Sequence, residues 1–130
     1  MLNSKGQSLV LFVLVLPILI FILIIVIDIG KIILLKQELS NISEIVLDYG
    51  LDKINEEEGI ETEIKNLIKL NKSDIDKIDL YIEDEKIYIK LEDKSEGIFS
   101  GFIDISIFNI KTSYVGYIEN DEKRIERLGD

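Results

Sequence analysis

Gly6-Gln7-Ser8-Leu9-Val10-Leu11-Phe12-Val13-Leu14-Val15-Leu16-Pro17-Ile18-Leu19-Ile20-Phe21-Ile22-Leu23-Ile24-Ile25-Val26-Ile27-Asp28-Ile29-Gly30-Lys31 is the stretch that decides the fold. Residues 9–27 form an unbroken uncharged, apolar run. At 1.5 Å per residue such a helix is about 28 Å long, close to the ~30 Å hydrocarbon core of a bilayer. Runs of at least ~18 apolar residues read as transmembrane helices rather than core elements. A cleavable secretory signal has a shorter apolar stretch and small residues at its cleavage site. This run exits into Asp28-Ile29-Gly30-Lys31-Ile32-Ile33 without an A-x-A pattern, so it reads as an anchor that stays.

Charge is distributed to match. All 25 acidic residues and fourteen of the 15 Lys and Arg lie from Asp28 onward, which gives that part a formal charge of −11. Such a surface repels nucleic-acid phosphate and anionic headgroups, and it has no basic patch for nucleic acid. Lys5 and the terminal amine precede the run, and Lys31 and Lys36 follow it. The positive-inside count is close to a tie and does not set an orientation. The chain has no Cys and no His. It therefore lacks thiol chemistry, disulfides, the commonest general base and the commonest metal ligand.

Beyond Gly30 the apolar positions Ile32, Leu35, Leu39, Ile42, Val46 and Tyr49 recur at spacings of three and four. That is the stripe of an amphipathic helix, and Ile33, Leu34, Ile45 and Leu47 widen it. The stripe serves either as core for its own domain or as a seam for a partner helix. One helix over about residues 8–49 is expected, with Gly50 as its C-terminal cap or a further turn over residues 51–54. Pro17 is expected to kink it, and Gly30 costs up to about 1 kcal/mol relative to Ala. Asp28 is expected to reach headgroups or pair with Lys31 at i+3.

Asn55-Glu56-Glu57-Glu58-Gly59 breaks the pattern. Ile60, Ile64, Leu67 and Ile68 predict a short helix over roughly 60–70, and Asn71-Lys72-Ser73-Asp74 is a turn cluster. The period then changes to two. Ile78, Leu80 and Ile82, then Ile87, Ile89 and Leu91, alternate with polar or aromatic residues, the pattern of a hairpin with one apolar face. Its turn, Glu83-Asp84-Glu85-Lys86, has no Gly. Ile98, Phe99, Phe102, Ile103, Ile105, Ile107 and Phe108 form an apolar cluster that is open between a strand and a patch on a partner or bilayer. A last strand is expected over 108–119, with Ile110, Thr112 and Tyr114 or their alternates inward. A charged tail that frays follows over 120–130.

The expected class is α+β. Residues 1–8 are a short leader, 9–27 the span, 28–54 its helical extension and 55–119 a small exterior domain. That domain carries a short helix and a roughly three-stranded antiparallel sheet, with Leu39, Ile42 and Val46 packed on the sheet. The carboxylate clusters Glu56-Glu57-Glu58, Asp74/Asp76/Asp79 and Glu83-Asp84-Glu85 fit no calcium-loop spacing and read as solvated surface. No nucleophile–base set is evident. The chain is expected not to be an enzyme and to hold no cofactor or metal.

Lys5-Gly6-Gln7 followed by the apolar run with Pro17, the closing Asp28-Ile29-Gly30, and Gln37-Glu38-Leu39-Ser40-Asn41 beyond it resemble TadE-like proteins. These are minor pseudopilins of the tight-adherence (Flp) pilus assembly system. The resemblance covers roughly residues 5–50. It implies a pilin-like architecture, a cytoplasmic N-terminus, an extracytoplasmic domain and cleavage by a prepilin peptidase between Gly6 and Gln7. It also implies assembly contacts at Pro17, Asp28, Gly30 and Lys31. The partners it implies are the membrane, other pilin-like subunits in a homo- or hetero-oligomer, and inner-membrane platform proteins. The family's Glu five residues after the Gly is Leu11 here, which removes a buried ion pair with a neighbouring subunit's amine. The alternative reading is a signal-anchored extracellular binding or sensing module unrelated to pili.

Overall fold

The computed structural model describes residues 4–55, 58–99 and 108–129. Helix α1 (Ser4–Lys53) is followed by α2 (Ile60–Asn71) and four strands, β1 (Lys77–Glu83), β2 (Lys86–Lys94), β3 (Asn109–Glu119) and β4 (Glu122–Arg127). The fold is a long apolar helix carrying a small domain with one short helix and a four-stranded antiparallel sheet.

The 50 residues of α1 make a rod of about 75 Å. The helix runs through Pro17 and Gly30 without interruption, and residues 4–8 already belong to it. Gly50 is not a cap. It is buried inside α1, where an added Cβ would lie 2.8 Å from Ile64 Cδ1 and 3.0 Å from Ile87 Cδ1. The missing side chain lets α1 approach α2 and β2 together, and the helix ends one turn later at Lys53.

The sheet is a meander in the order β1-β2-β3-β4. Period-two alternation puts Ile87, Ile89 and Leu91 of β2 and Ile110, Thr112 and Tyr114 of β3 on one buried face. Leu35, Leu39, Ile42, Val46, Leu47 and Leu51 of α1 cover that face, and Ile60, Ile64 and Ile68 of α2 close the core. The register pairs Leu80 with Ile89 and Ile89 with Tyr114. Tyr49 of α1 donates its hydroxyl to Glu63 of α2 at 3.1 Å.

The sequence reading is corrected at the C-terminal end, and the turns it left unassigned take a defined form. The sheet has a fourth strand, because residues 122–127 pair along β3 instead of fraying. Lys123 on this strand reaches Asp52 and Asp48 of α1 at 2.6 and 3.1 Å. Both tight turns use non-glycine residues at positive φ, Asp84 and Glu85 at 52° and 62°, Asn120 and Asp121 at 53° and 63°. Two successive positive φ values define a type I′ hairpin turn, whose twist suits the flanking strands.

Among the described residues, Thr112 Oγ1 is the buried side-chain polar atom without a hydrogen-bond partner. A buried unsatisfied hydroxyl costs about 1–3 kcal/mol. Thr112→Val keeps the branched shape and removes the hydroxyl. It should raise domain stability by about 1 kcal/mol, read as a higher urea midpoint with an unchanged m-value.

Candidate functional site

Among the described residues no group of three or more His, Cys, Asp or Glu side chains converges as a metal site would. A hollow of about 550 Å³ lies between α1 and the ends of α2 and β2, and its lining includes Lys31, Glu38, Lys72, Asp74, Asp93 and Glu96. Lys72 is its centre. Its ammonium lies 3.2 Å from Asp74, 3.6 Å from Asp93 and 3.9 Å from Glu38. Burial alone lowers the Lys72 pKa, but the hydrogen bond to Asp74 and the three carboxylate charges outweigh it and raise the value above that of a free lysine. One cation thus ties α1, the α2–β1 turn and β2 together, which is a structural task.

The sign of the linkage follows. A raised folded pKa makes the contribution of Lys72 complete below the ordinary lysine value and removes it as pH rises through the folded value. Thermal unfolding followed on the alkaline side should therefore show a stability loss that Lys72→Met lacks, with the two proteins converging at high pH.

The second surface is α1 itself. Its face toward the sheet is buried at Leu35, Leu39, Ile42 and Val46. Elsewhere round its circumference Ile29, Ile33, Leu34 and Ile45 stay in the open, with Ile33 53% and Leu34 65% exposed. The apolar run of residues 9–27 is bare as well, and the helix is long and apolar enough to cross a membrane. Exposed apolar side chains thus continue past the end of the span on two sides of the helix: Leu34 and Ile45 lie on one, a strip broken by Glu38 and Asn41, and Ile29 and Ile33 lie on another. The residues that widened the amphipathic stripe divide: Leu47 is core, whereas Ile33, Leu34 and Ile45 are surface.

The third element is a clamp where the apolar run ends. Asp28 is 4% exposed. Its Oδ1 accepts the backbone N–H of Ile98 at 2.7 Å, and its Oδ2 accepts that of Phe99 at 2.9 Å. The carboxylate occupies the space beside Gly97, where an added Cβ would come 2.6 Å from Asp28 Cγ. The same segment lays the Phe99 ring edge-on against Phe21, with centroids 5.2 Å apart. Ser95 donates its backbone N–H to the Phe108 carbonyl at 2.7 Å and closes the neck of the β2–β3 connection. Asp28 thus takes two amides of its own chain, in place of headgroups or Lys31.

Of the other residues expected to matter, Gly6 and Gln7 lie in the first two turns of α1. Pro17 and Lys31 are exposed. Gly30 has open space where a side chain would be, so no part of this domain requires its smallness. These positions do not converge; they are spread along α1. Sequence reasoning missed Gly97, and its partnership with Asp28 spans about seventy residues, beyond any local pattern. Residues 100–107, which hold most of the apolar cluster, lie outside the described residues, and only Ile98, Phe99 and Phe108 of it are placed.

No protein-family model, curated protein or solved structure matches the chain.

Proposed function

We propose that this chain is a membrane-anchored assembly subunit, pseudopilin-like and not an enzyme, of a Tad-type (Flp) pilus or a related secretion system. The observation that carries the reading is the single helix α1, bare and apolar through residues 9–27, with further exposed apolar side chains at Ile29, Ile33, Leu34 and Ile45 beyond it. In water such a bare run is a liability; in a membrane, among packed helices, it is an interface. The N-terminus faces the cytoplasm and the acidic domain lies outside, an orientation taken from the resemblance to TadE-like proteins. The contacts are with other pilin-like subunits and with platform proteins of the inner membrane. With Leu11 at the position of the family's Glu, helix association here relies on apolar packing rather than on a buried ion pair.

The intact mass of the protein from its native membrane, with and without the host's prepilin peptidase, tests this reading. Peptidase-dependent loss of residues 1–6, with Gly6 as the last residue removed, supports it. An unprocessed mass in both strains favours the alternative, a signal-anchored binding module. One observation favours that alternative: the outer sheet face carries the stacked pair Tyr81 and Tyr88, centroids 4.7 Å apart, beside a hollow of about 370 Å³ that also touches Lys90 and Ser113.

A further inference from the structure

We propose that Ile98 and Phe99 form a second membrane contact, seated in the acyl-chain boundary of one leaflet beside α1, and that Asp28 is the positioning residue that holds them there. The proposal rests on the anchoring part of the function above and goes beyond it. It makes the membrane-proximal end of the domain a lipid-seated surface, so that the domain does not swing freely on its helix.

Depth is fixed by the contact between Phe99 and Phe21. Phe21 precedes Ile27, the last residue of the apolar run, by six residues, or about 9 Å of helix rise. Helical side chains lean toward the N-terminus, which carries the Phe21 ring further from the domain. With residues 9–27 in the bilayer, the Phe99 ring beside Phe21 lies among acyl chains. Ile98 stays 41% exposed next to it.

Backbone chemistry agrees with that depth. Non-helical backbone at membrane depth is tolerated only when its polar groups are satisfied within the protein. The amides of Ile98 and Phe99 meet this condition through the two oxygens of Asp28. The requirement is reciprocal, because a carboxylate beside the hydrocarbon region is costly unless it is paired. Two N–H donors supply the pairing. Gly97 allows the approach, since its missing Cβ leaves the volume that the carboxylate fills.

The chain has no Trp, so one introduced Trp is a unique depth reporter. The full chain carrying Phe99→Trp is reconstituted in phosphatidylcholine vesicles that contain a lipid brominated on the acyl chain near the headgroup. Ile98→Trp, at an exposed position that needs no internal packing, is the parallel probe. Both should emit at short wavelength, be quenched by the brominated lipid and resist aqueous iodide. Adding Asp28→Ala should abolish the bromolipid quenching and admit iodide. Ile18→Trp, in the middle of the run, reports the span separately. If Ile18→Trp is quenched by lipid brominated deep in the chain while both loop probes are quenched only by iodide, the loop contact is overturned and the anchor stands. If Ile18→Trp is also quenched only by iodide, the anchoring reading falls and takes this proposal with it. Unchanged lipid quenching after Asp28→Ala overturns the positioning role of Asp28.

Discussion

Leu39→Ala lowers the stability of the sheet-bearing domain by about 2–5 kcal/mol, the range for removing a fully buried leucine and leaving a cavity. Leu39 is completely buried where α1 crosses the sheet, in one cluster with Ile89, Leu91 and Tyr114. Globular domains hold only about 5–15 kcal/mol in total, and one this small belongs near the lower end. The variant should therefore lose a large part of the cooperative transition. All five tyrosines follow Tyr49 or are Tyr49 itself, so the tyrosine band of the near-ultraviolet circular dichroism in detergent reads the domain without the apolar half of α1. Leu34→Ala is the control. Leu34 is just over a turn earlier on the same helix and 65% exposed, and its truncation should shift stability by no more than about 0.5 kcal/mol. Equal losses at the two positions would place the sheet on the wrong face of α1.

Asp28→Ala has the second large effect, and it is local. The substitution leaves the part-buried amides of Ile98 and Phe99 without their acceptors, at about 1–3 kcal/mol for the pair because part of the segment can turn to water. Gly97→Ala should release the same clamp from the other side, because a methyl group there collides with the carboxylate. The two changes should couple: the double variant should cost little more than either single one, as expected when both remove one shared interaction. Amide hydrogen exchange at Ile98 and Phe99 is the readout, since local opening registers there before global unfolding. Both amides should be protected in the parent chain and exchange freely in both variants. Additive losses would mean that the two residues act separately.

The helix and the central hairpin were legible because their apolar periods are clean. Spacings of three and four from Ile32 to Tyr49 predicted the buried face, and Leu39, Ile42 and Val46 are buried as the spacing required. Alternation at Ile87, Ile89 and Leu91 predicted β2 and the face it buries. The fourth strand was not legible, because Glu122-Lys123-Arg124-Ile125-Glu126-Arg127 holds a single apolar residue. An edge strand tolerates that composition, and here a lysine bonded to Asp48 and Asp52 joins Ile125 on its inner side. Gly50 left two readings open, a cap or a further turn, and the further turn is what forms. Glycine near a helix end signals a cap, but the same absence of Cβ serves close packing, and only the positions of Ile64 and Ile87 reveal which use applies. The clamp was the least legible of all. Asp28 looked like an interfacial residue because its partners are backbone amides, which carry no signature of their own in a sequence.

The most direct test of the central claim, that the bare side of α1 is an assembly surface, uses the absence of cysteine. Single variants Leu34→Cys and Ile45→Cys on the strip, and Leu70→Cys on the exposed side of α2, would each carry a thiol-linked photo-crosslinker in native membranes. Leu70 is 82% exposed and offers an even more open apolar site off the strip. The account predicts adducts from positions 34 and 45 to the helix of another membrane-anchored subunit, with little from position 70. Absence of adducts from both strip positions, or equal yield from position 70, would contradict it.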